Sequence, residues 1–409
     1  MKQIVFLYPD YTERIGNKSR AEMPPLGMLH VCAIAEEEGL EVKVIPVTLD
    51  TAPESIPEAS IYAYSITATA VYPIFLRLVP LIKKKAKLHI AGNTHVNIFP
   101  EQVLNELGLD AVFKGEGEIA FREWLQDGCQ QSGIIHGKQA NINEIPFPAR
   151  HLLPTDRVLM NRRIGGRMNN VVTIYSSRGC VYNCAYCGNL NNGSSRLRTP
   201  ESFQKELNRI KELYPQVEGL TVMDELFTFN PQHAITIAQV IKKANLPWEC
   251  TTRADFLRQD VVKVLVDTDC REVKLGMESG SQFMLDKMNK KLDLGKARKS
   301  ILRAGQMGLP IKLFIMHGFP GESHETTKET IDFIRDLQKV LHRVVLYRFT
   351  PIPGSPVYSS NEVIHHGWDD YTIYQNAQKW WGNDSEFQIV NESFDNLRNE
   401  VVSLFGKVN

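Results

Sequence analysis

Val171-Val-Thr-Ile-Tyr175-Ser-Ser-Arg-Gly179-Cys180-Val-Tyr-Asn-Cys184-Ala-Tyr-Cys187 is the stretch around which the chain is organised. The run Val171–Tyr175 is short, apolar and rich in β-branched residues, and Ser-Ser-Arg-Gly follows it. It therefore reads as a strand opening into a loop. Three cysteines fall within the twelve residues from Ser176 to Cys187. Thiolates are soft ligands, and close spacing in a loop suits zinc or an iron–sulfur cluster. Structural zinc takes four ligands, and no fourth lies nearby, because Cys250 and Cys270 are far downstream in or beside elements of their own. Three thiolates fit a four-iron cluster with one iron left open.

The spacing C-x3-C-x2-C, with Tyr186 ahead of the last cysteine, resembles the signature of the radical S-adenosylmethionine enzymes. The resemblance implies that Cys180, Cys184 and Cys187 hold three irons of a 4Fe–4S cluster, while the amino and carboxylate groups of S-adenosylmethionine chelate the fourth. It implies further that an electron from the cluster cleaves the sulfonium to methionine and a 5′-deoxyadenosyl radical. A zinc knuckle or incidental buried thiols are the plain alternatives.

At 409 residues the chain has room for roughly two or three domains, each able to bury a core. Lys+Arg 47 against Asp+Glu 47 gives zero formal charge, so composition indicates neither nucleic acid nor an anionic membrane as a partner. Seven cysteines with three of them in one loop do not suggest a disulfide framework. A reducing cytoplasm is the expected setting. No apolar run approaches a membrane span, and Met1–Tyr11 is too short in apolar residues for a signal peptide.

Residues 1–128 alternate short apolar runs with helical patterns. Strands are expected at Gln3–Tyr8, Glu41–Val47, Ile61–Ile66, Leu88–Ala91 and Ala111–Lys114, with helices after Met23-Pro-Pro-Leu-Gly27 and over Tyr72–Lys85. That alternation predicts a doubly wound, Rossmann-like parallel sheet with its ligand across the carboxyl ends of the strands. Those ends carry Ser65-Ile-Thr67, Gly92-Asn93-Thr94-His95 and Gly115-Glu116-Gly117-Glu118. With Pro24-Pro-Leu-Gly27 and Gly39, the segment resembles the cobalamin-binding domain of a large radical S-adenosylmethionine subclass. The resemblance implies cobalamin contact at all three stretches. Asn93 stands where that subclass usually has a second glycine, and no Asp-x-His-x-x-Gly motif offers a histidine to cobalt. The plain alternatives are a hydrogen-bonded loop histidine for His95 and a tight strand-to-helix turn for Gly115–Glu118.

Residues 129–168 are polar, aperiodic and proline-bearing, and read as a linker. Arg157, Arg162, Arg163 and Arg167 in it read as a solvated surface, with contact to an anionic substrate or a cofactor phosphate as the alternative. From 169 to 350 six strand–helix units follow, with strands at Val171–Tyr175, Leu220–Met223, Glu249–Thr252, Glu272–Met277, Ile311–Met316 and Val344–Phe349. This predicts a partial (β/α)6 barrel whose chemistry sits at the carboxyl ends of the strands, where the cysteine loop lies. Met223-Asp224-Glu225-Leu-Phe-Thr228, Thr252-Arg253-Ala-Asp255, Gly276-Met-Glu278-Ser279-Gly280, Phe319-Pro-Gly-Glu322 and Pro351–Pro356 end successive strands and resemble the subclass's motifs in order. The resemblance implies that Asp224, Glu225, Arg253, Glu278 and Ser279 bind S-adenosylmethionine, and Tyr186 and Lys312 complete that candidate set. For Arg253 the plain alternative is a buried ion pair with Asp224 or Asp255.

The tail, 351–409, concentrates Trp368, Tyr371, Tyr374, Trp380 and Trp381, with helices expected at Val363–Tyr374 and Phe394–Phe405. By resemblance, then, the chain is expected to be a radical enzyme that methylates an unactivated carbon of a small molecule with cobalamin, fed by an electron donor such as flavodoxin or ferredoxin. A radical cyclase, isomerase or oxidase is the alternative, with cobalamin bound or absent; an iron–sulfur electron-transfer protein is the alternative from another class. A methylthiotransferase is disfavoured, since only Cys32 and Cys129 precede the loop.

Overall fold

Short apolar runs become strands and the amphipathic segments between them become helices throughout the computed structural model, which describes residues 2–10, 23–164, 167–188, 193–360 and 384–406. The chain divides into two compact units, Met1–Asn161 and Arg162–Asn409. The first contains β1 (Gln3–Pro9), α1 (Leu26–Glu37), β2 (Glu41–Val47), β3 (Ala59–Ser65), α2 (Tyr72–Ile82), β4 (Ala86–Gly92), α3 (Thr94–Ile98), α4 (Pro100–Glu106), β5 (Ala111–Lys114), α5 (Gly117–Gln126), β6 (Gly133–His136) and α6 (Thr155–Val158). The sheet is parallel throughout, in the order β2-β1-β3-β4-β5-β6. Central strands buried on both faces need continuous rather than alternating apolar sequence, and Ile4, Val5, Leu7, Tyr62, Phe75, Phe121 and Trp124 form that core.

Strand β6 lies inside the stretch expected to be a linker. It is an edge strand paired only with β5, and its side chains are half-buried or exposed. Such a strand needs no apolar alternation, so nothing in Gly133–His136 marks it.

The second unit contains β7 (Met160–Ile164), β8 (Arg167–Ile174), the short pair β9 (Ser177–Arg178) and β10 (Arg196–Leu197), α7 (Pro200–Leu213), β11 (Gly219–Val222), α8 (Pro231–Ala244), β12 (Trp248–Thr252), α9 (Gln259–Asp267), β13 (Cys270–Glu278), α10 (Gln282–Lys287), α11 (Leu294–Gln306), β14 (Ile311–His317), α12 (His324–Leu337), β15 (Leu341–Arg348) and α13 (Asp384–Phe405). The order β15-β14-β13-β12-β11-β8-β7 contains the six expected parallel strands, and β7 adds an edge. Helix starts follow their caps: the side chains of Thr199, Asn230, Asp293 and Ser323 each accept a first-turn N–H.

Register sorts the strand residues onto two faces. Val172, Ile174, Leu220, Val222, Cys250, Val273, Leu275, Ile311 and Leu313 make one face apolar and buried. Thr173, Thr221, Glu249, Lys274 and Lys312 alternate with them on the inner face of the half-barrel. The tail helix expected at Phe394–Phe405 is the second half of α13. The helix expected at Val363–Tyr374 and the aromatic cluster up to Trp381 lie outside the described residues. Among the described residues no helix is long and apolar enough to cross a membrane.

Candidate active site

The cysteine loop leaves the carboxyl end of β8 and is tied down at both ends. At its root, Asp224 accepts hydrogen bonds from Ser176 N and Oγ at 2.7 and 2.5 Å and from Ser177 N and Oγ at 3.0 and 2.7 Å. Gly179 N donates to Glu225 Oε2 at 3.2 Å. At the far end Ala185 N donates to Met288 O (2.8 Å), and Val357 N donates to Ala185 O (2.9 Å). Asn289 Nδ2 reaches Asn183 O at 2.7 Å. Ala185 and Tyr186 pack on Met284, Met288, Phe319, Phe349 and Val357. Cys184 is buried, Cys180 and Cys187 are half-buried, and none of the three is in a disulfide. Burial pushes the Cys180 thiol up.

Among the described residues no three His, Cys, Asp or Glu side chains converge as on one metal ion. A 4Fe–4S cluster asks for no such convergence, because each thiolate takes its own iron and the sulfurs stand apart. Three thiols on a loop braced at both ends, on the rim where barrel chemistry sits, fit that group.

Tyr186 and Glu278 come together on this rim with a residue that sequence reading missed, Lys290. The Tyr186 hydroxyl donates to Glu278 Oε1 at 3.1 Å, and Lys290 Nζ donates to both, at 2.7 and 2.9 Å. Burial, then the neighbouring Glu278 charge, pushes the Tyr186 phenol well up. The motif Gly276-Met-Glu-Ser-Gly280 follows from close packing. A β-bulge between Gly276 and Glu278 leaves Glu278 at φ +68°. Its carboxylate folds back so that a Cβ on Gly276 would stand 2.7 Å from Oε1, and a Cβ on Gly280 would stand 2.6 Å from Phe333 Cβ. Lys290 sits in the α10–α11 connection between Asn289 and Lys291, both at positive φ. Nothing in Met-Asn-Lys-Lys separates it from a surface lysine, yet it is buried.

Other candidates are engaged elsewhere. Asp224 is wholly committed to the loop root. Arg253 forms the ion pair with Asp255, Nε and Nη2 each at 3.1 Å, donates to Lys290 O and Lys291 O at 2.7 and 3.1 Å, and stacks 3.8 Å from the Tyr182 ring centre. Ser279 Oγ bonds Thr330 Oγ1 at 3.2 Å and accepts from Ser281 N at 3.1 Å. Lys312 stands apart from the other candidates. It is the second residue of β14, and its Nζ lies 3.6 Å from Glu272 near the amino ends of the strands, away from the rim.

In the first unit Ser65, Thr67, Gly92–His95 and Gly115–Glu118 crown the adjacent strands β3, β4 and β5. Gly92 has no positive φ, and a Cβ there would meet nothing nearer than 3.9 Å. The protein itself does not require that glycine, and its bare backbone leaves room for a ligand, which fits a corrin or its nucleotide tail. Asn93 adopts φ 86°, ψ −171°, a region almost confined to glycine and costing about 1–3 kcal/mol. Its side chain accepts from Thr94 N (2.8 Å) and donates to Ser65 Oγ (3.1 Å). His95 lies beneath this crest. It is fully buried against Tyr72 and Phe99, bonds Thr69 Oγ1 at 3.0 Å, and is held by burial at a pKa of about 4. It is a neutral support under the crest, with no surface for a ligand. Glu118 is likewise buried, and Glu116 Oε2 accepts from Ala140 N at 3.0 Å.

Comparison with known proteins agrees with both halves. Residues 174–334 match the model of the radical SAM superfamily, and residues 14–125 match the B12 binding domain. An uncharacterized methyltransferase of Pyrococcus horikoshii is 27% identical over 92% of this chain and 88% of its own. Cytidylyl-2-hydroxyethylphosphonate methyltransferase of Streptomyces wedmorensis is 23% identical over 85% of this chain and 79% of its own. The structure of the radical S-adenosylmethionine methyltransferase TsrM from Kitasatospora setae, with cobalamin and its 4Fe–4S cluster bound, superposes with a TM-score of 0.64 at 15% identity, covering 87% of this chain and 77% of that one. The braced three-cysteine loop on a half-barrel rim, the open strand crest of the first unit and the two matched domain models together make this chain a radical S-adenosylmethionine enzyme of the cobalamin-binding-domain subclass.

Proposed function

We propose that the enzyme transfers a methyl group to an unactivated carbon of a small molecule. When bound, the cluster with S-adenosylmethionine supplies the hydrogen-abstracting radical and cobalamin supplies the methyl group. The observation that carries the reading is the Tyr186–Glu278–Lys290 constellation beside the cysteine loop. Cys180, Cys184 and Cys187 hold the cluster. Glu278 and Lys290 present a carboxylate and an ammonium to the ribose hydroxyls and carboxylate of S-adenosylmethionine. Asp224, Glu225, Arg253 and Ser279 act at one remove, fixing the loop and the strand end. Met284, Met288, Phe319 and Phe349 exclude water beneath Tyr186. The crest of β3–β5 takes cobalamin, with Gly92 giving close backbone approach. A small one-electron carrier of the flavodoxin or ferredoxin kind supplies the electron.

The test is anaerobic reconstitution with iron, sulfide and hydroxocobalamin, followed by cobalamin stoichiometry and 5′-deoxyadenosine analysis. We expect about one cobalamin per chain and 5′-deoxyadenosine formation, with a gain of one methyl in the product once a substrate is supplied. Gly92→Leu should fold, retain iron and lose cobalamin. A fully clustered protein that never retains cobalamin and converts substrate without methyl gain would overturn the proposal in favour of a cobalamin-free radical enzyme.

A further inference from the structure

The inner face of the half-barrel carries charge that the rim does not use. Register sets Glu249 of β12 beside Glu272 of β13, Lys274 beside Lys312 of β14, and Lys312 beside Arg343 of β15. Lys274 Nζ lies 2.6 Å from Glu249 Oε1, and Thr221 Oγ1 donates to the same oxygen at 2.7 Å. The remaining pairs are looser. Lys312 and Arg343 each stand 3.6 Å from Glu272, and Arg162 of β7 stands 3.6 Å from Glu249. His342 Nδ1 lies 3.5 Å from Glu272 at the exposed edge.

Among the described residues four basic side chains, Arg162, Lys274, Lys312 and Arg343, thus share two carboxylates. Arg343 Nε and Arg162 Nη1 are buried atoms with no hydrogen-bond partner among the described residues. Surplus positive charge inside a protein is costly unless a counter-charge enters, and guanidinium forks suit oxyanions. The layer is also open. Side-chain exposure rises from 3% at Glu249 to 27% at Arg162 and 38% at Arg343.

We propose that this layer is an anion subsite that holds the phosphoryl or carboxylate end of the enzyme's substrate. This deepens the methyl-transfer reading and rests on it, with the substrate lying inside the half-barrel. Lys312 and Met316 lie on the same face of β14, four residues apart, and Met316 packs with the apolar cluster under Tyr186. At about 3.3 Å per residue the anion sits roughly 13 Å below the rim. The substrate is therefore elongated, with an oxyanion at one end and its reacting carbon at the other.

The test uses the cluster-loaded full chain with S-adenosylmethionine present and no turnover, titrated calorimetrically with inorganic phosphate and, separately, with acetate. We expect saturable binding of at least one of the two, about one per chain, weakened about tenfold or more in Arg343→Gln and in Lys312→Gln. Affinity should be unchanged in Lys296→Gln, on the exposed side of α11, and S-adenosylmethionine affinity should be unchanged in all three variants. Should Lys312→Gln lose its cluster, the half-exposed Arg343→Gln decides alone. Binding of neither anion at millimolar concentration, or equal binding by Arg343→Gln, overturns the subsite. Because binding is read without turnover, that result is distinct from a failure of methyl transfer.

Discussion

Asp224→Ala separates a loop brace from a cofactor ligand. Asp224 is 2% exposed. It accepts four hydrogen bonds from Ser176 and Ser177, two of them from backbone N–H groups at 2.7 and 3.0 Å. Truncation leaves both N–H donors buried without an acceptor, while the two hydroxyls can rotate to other partners. Each orphaned donor costs about 1–3 kcal/mol, so the pair costs about 2–6 kcal/mol. Removing the carboxylate also relieves its own desolvation, which pushes its pKa up against the four donors. A net loss of about 3 kcal/mol follows, or a fall of about 6–12 °C in Tm for a unit of this size. The assay is calorimetric melting of the cluster-free chain, then iron content after reconstitution. We expect a lower Tm and poorer iron retention, with unchanged S-adenosylmethionine affinity in the molecules that keep their cluster. An unchanged Tm and full iron content together with lost S-adenosylmethionine binding would refute the reasoning and make Asp224 a direct contact.

Alanine at Cys180, Cys184 or Cys187 should abolish iron–sulfur absorbance and 5′-deoxyadenosine formation, whereas Cys32, Cys129, Cys250 and Cys270 should tolerate serine without loss of iron. Full activity in any of the first three would sink the assignment. Glu278→Gln and Lys290→Met should each weaken S-adenosylmethionine binding by about 2–4 kcal/mol with iron intact. Arg253→Ala should instead lower iron content, because the guanidinium holds Tyr182 and the Lys290 carbonyl; equilibrium dialysis beside iron analysis tells the two patterns apart. Glu322 gives a pH prediction. Burial raises its pKa from 4.5 to about 7, so between those values the folded state binds the proton that the unfolded chain has released. Its contribution is complete below the unfolded pKa and is lost as pH rises through about 7, up to about 3 kcal/mol in all. Melting from pH 5 to 8 should show wild type losing stability relative to Glu322→Gln; parallel pH profiles would exclude a buried, protonated Glu322.

Local chemistry decided what could be read from the chain alone. Three cysteines on one loop, apolar runs ended by glycine or proline, and caps such as Thr199 act between residues close in sequence. The parallel sheets and the partial barrel were therefore legible. The same holds for Lys312, whose place as the second residue of its strand was already implied by a strand beginning at Ile311. Strand β6 was not legible, because an edge strand paired on one side imposes no apolar pattern. Tertiary structure alone decided between partners that sequence left equivalent. Arg253 had two carboxylates in reach and took Asp255, since Asp224 was consumed by Ser176 and Ser177. Lys290 met Tyr186 across more than a hundred residues because a turn with positive φ at Asn289 and Lys291 aims it inward. His95 was drawn under the crest by Tyr72 and Phe99, where packing outweighed its polarity. Whether a polar side chain faces a ligand or braces a loop depends on which donors and acceptors the fold brings within 3 Å of it, and for Lys290 that partner, Tyr186, lies 104 residues away in sequence.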